Sequence, residues 1–181
     1  MRIACFGSGS GKEGDPSYEK MREVGFLLVA LKKCDVLTGG FNGSGMEAPA
    51  KGATEAGGES IGFTILGKSG NPYLTEVVNC GEGFFPEVQY GMRLGNLLTA
   101  DGFIVEASGG MGTLVELVAA INLSLKFWDK PKKIAVLTFG EKGHMEQLLF
   151  ILKMMDFFTD EMSKSILVTD SPAKAVDWVT V

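Results

Sequence analysis

The chain has 181 residues, 45% of them apolar, which is enough to bury a core and lies well outside the range of disordered segments. Its net charge of −5, with no block of five like charges, excludes the basic surface that a sequence-independent grip on duplex nucleic acid requires. No apolar run reaches the ~18 residues of a membrane helix, so neither a nucleic acid nor a membrane is an expected partner.

Residues Arg2 to Phe6 form a short apolar strand at the very start, which leaves no room for a signal peptide. Cys5, Cys34 and Cys80 are odd in number, widely spaced and without a C-x-x-C pair. Both features predict a cytoplasmic protein with buried, reduced thiols. The strand runs into Gly7-Ser8-Gly9-Ser10-Gly11. Met21, Val24, Phe26 to Leu28 and Leu31 recur at helical spacing and predict a helix from Pro16 to Lys33. Asp35 to Thr38 is a second strand, ending in the loop Gly39 to Gly45, and a small-residue helix follows over 46–56. Ser60 to Leu66 is a third strand. Residues 67–86 are irregular, with a possible strand at Glu76 to Asn79. A helix is predicted from Glu87 to Ala100, a strand from Gly102 to Val105, then a third glycine loop and a helix from Thr113 to Phe127. Lys133 to Thr138 (strand), His144 to Met155 (helix), Ile166 to Val168 (strand) and Pro172 to Val179 (helix) complete the pattern.

Short apolar strands alternating with amphipathic helices predict an α/β fold: a single Rossmann-like, doubly wound domain over residues 1–181, with a mostly parallel sheet and helices on both faces. All three glycine clusters follow a strand and precede a helix. In such a sheet, ligands sit beyond the carboxyl ends of the strands, where helix N-termini offer free N–H groups and glycine lets the backbone approach an anion. A nucleotide or another small phosphate ester is the expected ligand. Gly7 to Lys12 lacks the G-x-x-x-x-G-K-[S/T] spacing of a P-loop and the G-x-G-x-x-G of a dinucleotide fold, with Asp35 the one weak candidate for a ribose-binding acid.

The sharpest segment is Ser108-Gly109-Gly110-Met111-Gly112-Thr113-Leu114-Val115-Glu116. Thr113 followed by Glu116 fits a capping box, so both residues read equally as a helix start or as chemistry; spacing alone does not choose.

This segment resembles the P-G-G-x-G-T-x-x-E motif of the LOG family, the cytokinin riboside 5′-monophosphate phosphoribohydrolases often labelled "possible lysine decarboxylase". Gly109 to Glu116 matches all but the first position. Thr38 to Met46 is similar to the family's G-G-G-x-x-G-L-M-G loop, and Gly7 to Gly11 to its G-S-S-x-G start. The resemblance spans nearly the whole chain. It implies hydrolysis of the N-glycosidic bond of a nucleoside 5′-monophosphate, with Glu116 as the catalytic carboxylate and Arg93 holding the phosphate or orienting Glu116. It also implies phosphate and nucleotide contacts from Gly7, Ser8, Gly40, Gly43, Gly109, Gly110, Met111, Gly112 and Thr113, and a homodimer or higher homo-oligomer. Two positions depart: Ser108 replaces the proline, and the family's Arg-Lys pair is Met92-Arg93-Leu94, without the lysine. The missing lysine favours the alternative, a non-catalytic carrier. Molybdenum-cofactor carrier proteins share this fold and its glycine loops.

No cofactor and no metal are expected. Pyridoxal phosphate chemistry needs a Schiff-base lysine, and nothing singles out Lys12, Lys51 or Lys68. His144 is the one histidine and reads as a surface or capping residue. Glu82, Glu87 and Glu106 are candidates for the ligand edge of the sheet that spacing does not separate from ordinary surface carboxylates, and Phe84-Phe85, Leu97-Leu98 and Phe157-Phe158 are candidate interface residues. Met145, Met154, Met155 and Met162 are expected in the core or an interface.

Overall fold

Each short apolar run forms a strand, and all seven strands join one parallel sheet. The computed structural model describes residues 1–140 and 143–181. In chain order the elements are β1 (Arg2–Phe6), α1 (Pro16–Lys32), β2 (Asp35–Thr38), α2 (Glu47–Glu55), β3 (Ser60–Thr64), β4 (Glu76–Asn79) and α3 (Pro86–Leu97). There follow β5 (Gly102–Glu106), α4 (Met111–Lys126), β6 (Lys133–Leu137), α5 (His144–Met154), α6 (Asp160–Ser165), β7 (Ile166–Thr169) and α7 (Pro172–Val179). The strand order is β4-β3-β2-β1-β5-β6-β7, and every pair is parallel. The chain steps outward from β1 to β4, then crosses back to β5 and steps out the other way. Parallel crossovers keep one hand, so this reversal sends later helices to the opposite face.

Side chains alternate across the strands, and the two faces bury separate cores. Ile3, Cys5, Val36 and Ile104 pack against α1, α2 and α7 through Met21, Leu28, Ala53 and Val176. Ala4, Phe6, Leu37, Phe103 and Val105 pack against α3, α4, α5 and α6 through Leu97, Leu117, Leu149 and Met162. This is the architecture predicted from the sequence, with helix ends displaced by one to three residues. Helix α6 has no counterpart in the sequence reading, because six residues carry less than two turns of periodicity; its Thr159 cap accepts from the Met162 amide at 3.1 Å.

Some residues read as interface candidates lie in the core, and the methionines divide between core and surface. Leu97 and Leu98 belong to the core, since they lie on the sheet-facing side of α3 and its last turn. Met145 and Met162 are buried, whereas Met154 and Met155 are exposed. Phe158 packs against the core while Phe157 is exposed. Asp35 opens β2 opposite Arg2, at the amino end of the sheet, far from the glycine loops.

Helices α1 and α2 cross in backbone contact. A Cβ on Gly25 would overlap the Pro49 carbonyl, and one on Gly52 the Arg22 carbonyl. Gly25→Ala is therefore expected to destabilise the protein by about 1–3 kcal/mol, the usual cost of overpacking. Urea denaturation measures it, and a loss below about 0.5 kcal/mol, the scale of an ordinary surface change, would contradict this contact.

Candidate functional site

The strand order reverses between β1 and β5, and three glycine loops meet there at the carboxyl edge of the sheet. They follow Phe6, Thr38 and Glu106. Two of them touch directly: a Cβ on Gly45 would overlap the backbone of Gly7, so both positions need glycine. Gly40 and Gly43 turn the second loop with φ of 82° and 105°. The loops, α3 and α4 enclose a cleft of about 200 Å³ with Cys5 at its floor. Gly7, Ser8 and Gly9 form one wall, Gly39 and Met46 a second, Tyr90 and Arg93 a third, and Gly110, Gly112, Thr113 and Glu116 the fourth.

Arg93 and Glu116 are brought together in this cleft, both nearly out of solvent at 8% and 6% exposure. Arg93 Nη1 lies 3.4 Å from Glu116 Oε1. The rest of the guanidinium is spent on backbone carbonyls: Nε donates to Phe63 O at 2.9 Å and Nη2 to Gly39 O at 3.2 Å. It also lies over the Phe41 ring, 5.8 Å from its centre. Arg93 is thus a fixed internal cation, not a surface arginine. Burial pushes the Glu116 carboxyl up to about 7, and the single long contact to Arg93 offsets this only partly.

Helix α4 begins earlier than the sequence predicts. Gly110 is its N-cap, in extended conformation, and no side chain caps it. Thr113 then falls inside the first turn and Glu116 beyond it, so the capping-box reading is excluded. Instead the two residues, three apart, share the face of α4 that lines the cleft. The Thr113 hydroxyl is buried without a hydrogen-bond partner. Gly110 and Gly112 line the cleft, a Cβ on either would meet no atom within 4 Å, and the first-turn N–H groups have no acceptor within the helix. Such a terminus can hold an anion. Met111 itself is exposed, at 73%.

Glu106 is the residue the sequence reading did not separate from surface carboxylates. It ends β5 and is 1% exposed. Its Oε2 accepts from the Ser8 amide at 2.7 Å and the Ser44 hydroxyl at 2.8 Å, and its Oε1 from the Ser108 hydroxyl at 3.0 Å. One carboxylate therefore ties all three glycine loops together. The available signal was its place directly after an apolar strand and before the paired glycines. Glu82 and Glu87, by contrast, are exposed.

The other candidates lie outside the cleft. Lys12 and Lys68 are exposed, and Lys51 pairs with Glu13 at 2.7 Å. His144 starts α5 after its N-cap Gly143 and borders a second hollow of about 430 Å³ with Ser17, Ser108 and Phe139. The three cysteines are free and buried, and burial pushes the Cys5 thiol up to about 12. Among the described residues no group of three acidic, histidine or cysteine side chains could hold a metal ion, and no helix is long and apolar enough to cross a membrane.

The model of the SLOG cluster4 family matches residues 1–175. The chain belongs to the SLOG cluster4 family. This bears out the LOG-like character of its glycine motifs. No curated protein matches the sequence. Among solved structures, the chain resembles TM1055, a structural genomics target, with a TM-score of 0.75 and 24% identity over 98% of this chain and 96% of that one. It is also similar to the molybdenum cofactor binding protein from the phototrophic bacterium Rippkaea orientalis (TM-score 0.67, 22% identity, 97% and 93% covered). The molybdenum cofactor carrier protein of Chlamydomonas reinhardtii gives a TM-score of 0.66 and 20% identity, with 97% and 93% covered. At these identities the likeness establishes the shared fold.

Proposed function

We propose that this chain is a single-domain cytoplasmic hydrolase that cleaves the N-glycosidic bond of a nucleoside 5′-monophosphate, AMP or a modified AMP, to free base and ribose 5-phosphate. The observation that carries this reading is a buried carboxylate, Glu116, fixed by an internal arginine in the same cleft as the open first turn of α4. The amides of Gly110, Met111, Gly112 and Thr113, with the unpartnered Thr113 hydroxyl, receive the 5′-phosphate. Arg93 holds Glu116 in place and compensates its charge. As the C1′–N bond breaks, its electron pair leaves with the base, which takes up a proton from solvent. Water adds to C1′ and loses a proton to Glu116, whose charge also favours the oxocarbenium-like transition state.

This role needs ionised Glu116, and its carboxyl is held near 7. Base release from AMP is therefore expected to rise from pH 6 to pH 8 and then level off. Glu116→Gln is expected to lose about 100-fold or more, the usual worth of a positioned base. Chromatography of free base checks both. A rate that falls across this range would mean that protonated Glu116 is the active form, and the proposed role would fail.

A second reading, a carrier that binds nucleotide or molybdenum cofactor without turnover, is favoured by the lack of a lysine beside Arg93 and by the fold shared with carrier proteins. Nucleotide binding without base release would select it.

Phe84, Phe85, Met92 and Met111 are exposed at 60%, 79%, 44% and 73% on α3, its approach and the start of α4. A homodimer through these apolar residues is part of the proposal. Phe85→Asp is expected to halve the mass in sedimentation; an unchanged mass would place the contact elsewhere.

A further inference from the structure

The chemistry proposed above leaves Glu106, a buried carboxylate beside the cleft, without a task. Glu106 lies at the carboxyl end of β5, beside the central strand β1, where the strand order reverses. The groups facing it are hydrogen-bond donors: the Ser8 amide, the Ser44 hydroxyl and the Ser108 hydroxyl. The backbone of Gly7 presses on it so closely that a Cβ there would overlap the carboxylate. Among the described residues it makes no ion pair.

The glycine loop after the first strand of a parallel sheet ordinarily offers its amides to a phosphate. Here the Ser8 amide already donates to an anion that belongs to the protein. A ligand phosphate in that loop would meet a filled donor and a buried negative charge in a medium that screens charge poorly. At the start of α4 the situation is the opposite. Gly110 and Gly112 line the cleft with free space beside them, the Thr113 hydroxyl is buried and unpartnered, and Arg93 lies on the same cleft.

Resting on the nucleotide reading of this cleft, we propose that Glu106 is a specificity-determining residue, a built-in anion that fills the first glycine loop. It leaves the crevice one phosphate subsite, at α4. The site then selects nucleotides that carry a single phosphate and rejects those with a pyrophosphate. The exposed hydroxyls of Ser8 and Ser10, 2.7 Å apart, are left to meet an uncharged part of the ligand, sugar or base.

Calorimetric titration of the full chain with AMP, ADP and ADP-ribose tests this. The wild type is expected to bind AMP at least about tenfold more tightly than either pyrophosphate, in line with one close unscreened repulsion. Glu106→Gln keeps the shape and most of the hydrogen bonds but removes the charge. It should bring the three affinities within about threefold of one another, chiefly by tightening ADP and ADP-ribose. If Glu106→Gln does not fold, the wild-type ratio decides, and equal affinity for AMP and ADP overturns the inference. A preference for AMP that survives unchanged in folded Glu106→Gln overturns it as well. If AMP itself does not bind the wild type, the nucleotide reading falls and this inference with it, whereas AMP binding without discrimination defeats the inference alone.

Discussion

The ligand end of this molecule depends on where three loops meet, and a single carboxylate holds them there. Phe6, Thr38 and Glu106 end neighbouring strands, so the sheet delivers their loops to one edge. The sheet alone does not fix how those loops sit against each other. Gly7 and Gly45 must touch, and Glu106 must receive Ser8, Ser44 and Ser108 at once. Removing one side of such a buried arrangement strands donors or a charge without compensation, which costs more than the same contact would contribute on the surface. The cleft is therefore shaped before a ligand arrives, by groups that need not touch it.

The second fixed feature is the Arg93–Glu116 pair. Arg93 is anchored by the carbonyls of Phe63 on β3 and Gly39 directly after β2, while Glu116 rides on α4. The pair thus couples the helix that offers free amides to the half of the sheet on the far side of β1. Burial governs Glu116 more than its partner does. A buried carboxyl whose pKa is pushed up to about 7 is suited to proton transfer.

Much of this was legible in the sequence for simple reasons. Strand–glycine–helix repeats have few solutions, and the doubly wound parallel sheet is the one that buries such strands on both faces. The glycine motifs also located the cleft, because glycine clusters at strand ends mark close backbone approaches. Burial of polar residues was less legible. Arg93 sits on a helix with many exposed positions, and Glu106 ends a strand where chains often return to water, so neither announces its partners. Those partners come from loops about 100 residues away for Ser8 and about 60 for Ser44, and a local pattern carries no trace of them. Thr113 and Glu116 misled for a different reason. Their spacing is that of a capping box, but the helix starts at Met111 because Gly110 takes the cap position. The same two-residue shift turns a local helix signal into a wall of the cleft.

The central claim is that the first turn of α4 receives a phosphate at the reversal between β1 and β5. Backbone amide NMR during titration with AMP tests it most directly, because each N–H reports its own hydrogen bond. The amides of Gly110, Met111, Gly112 and Thr113 should move downfield together and saturate, while Ser8, already bonded to Glu106, should move little. Saturable shifts centred away from α4, with these four amides unmoved, would contradict the account.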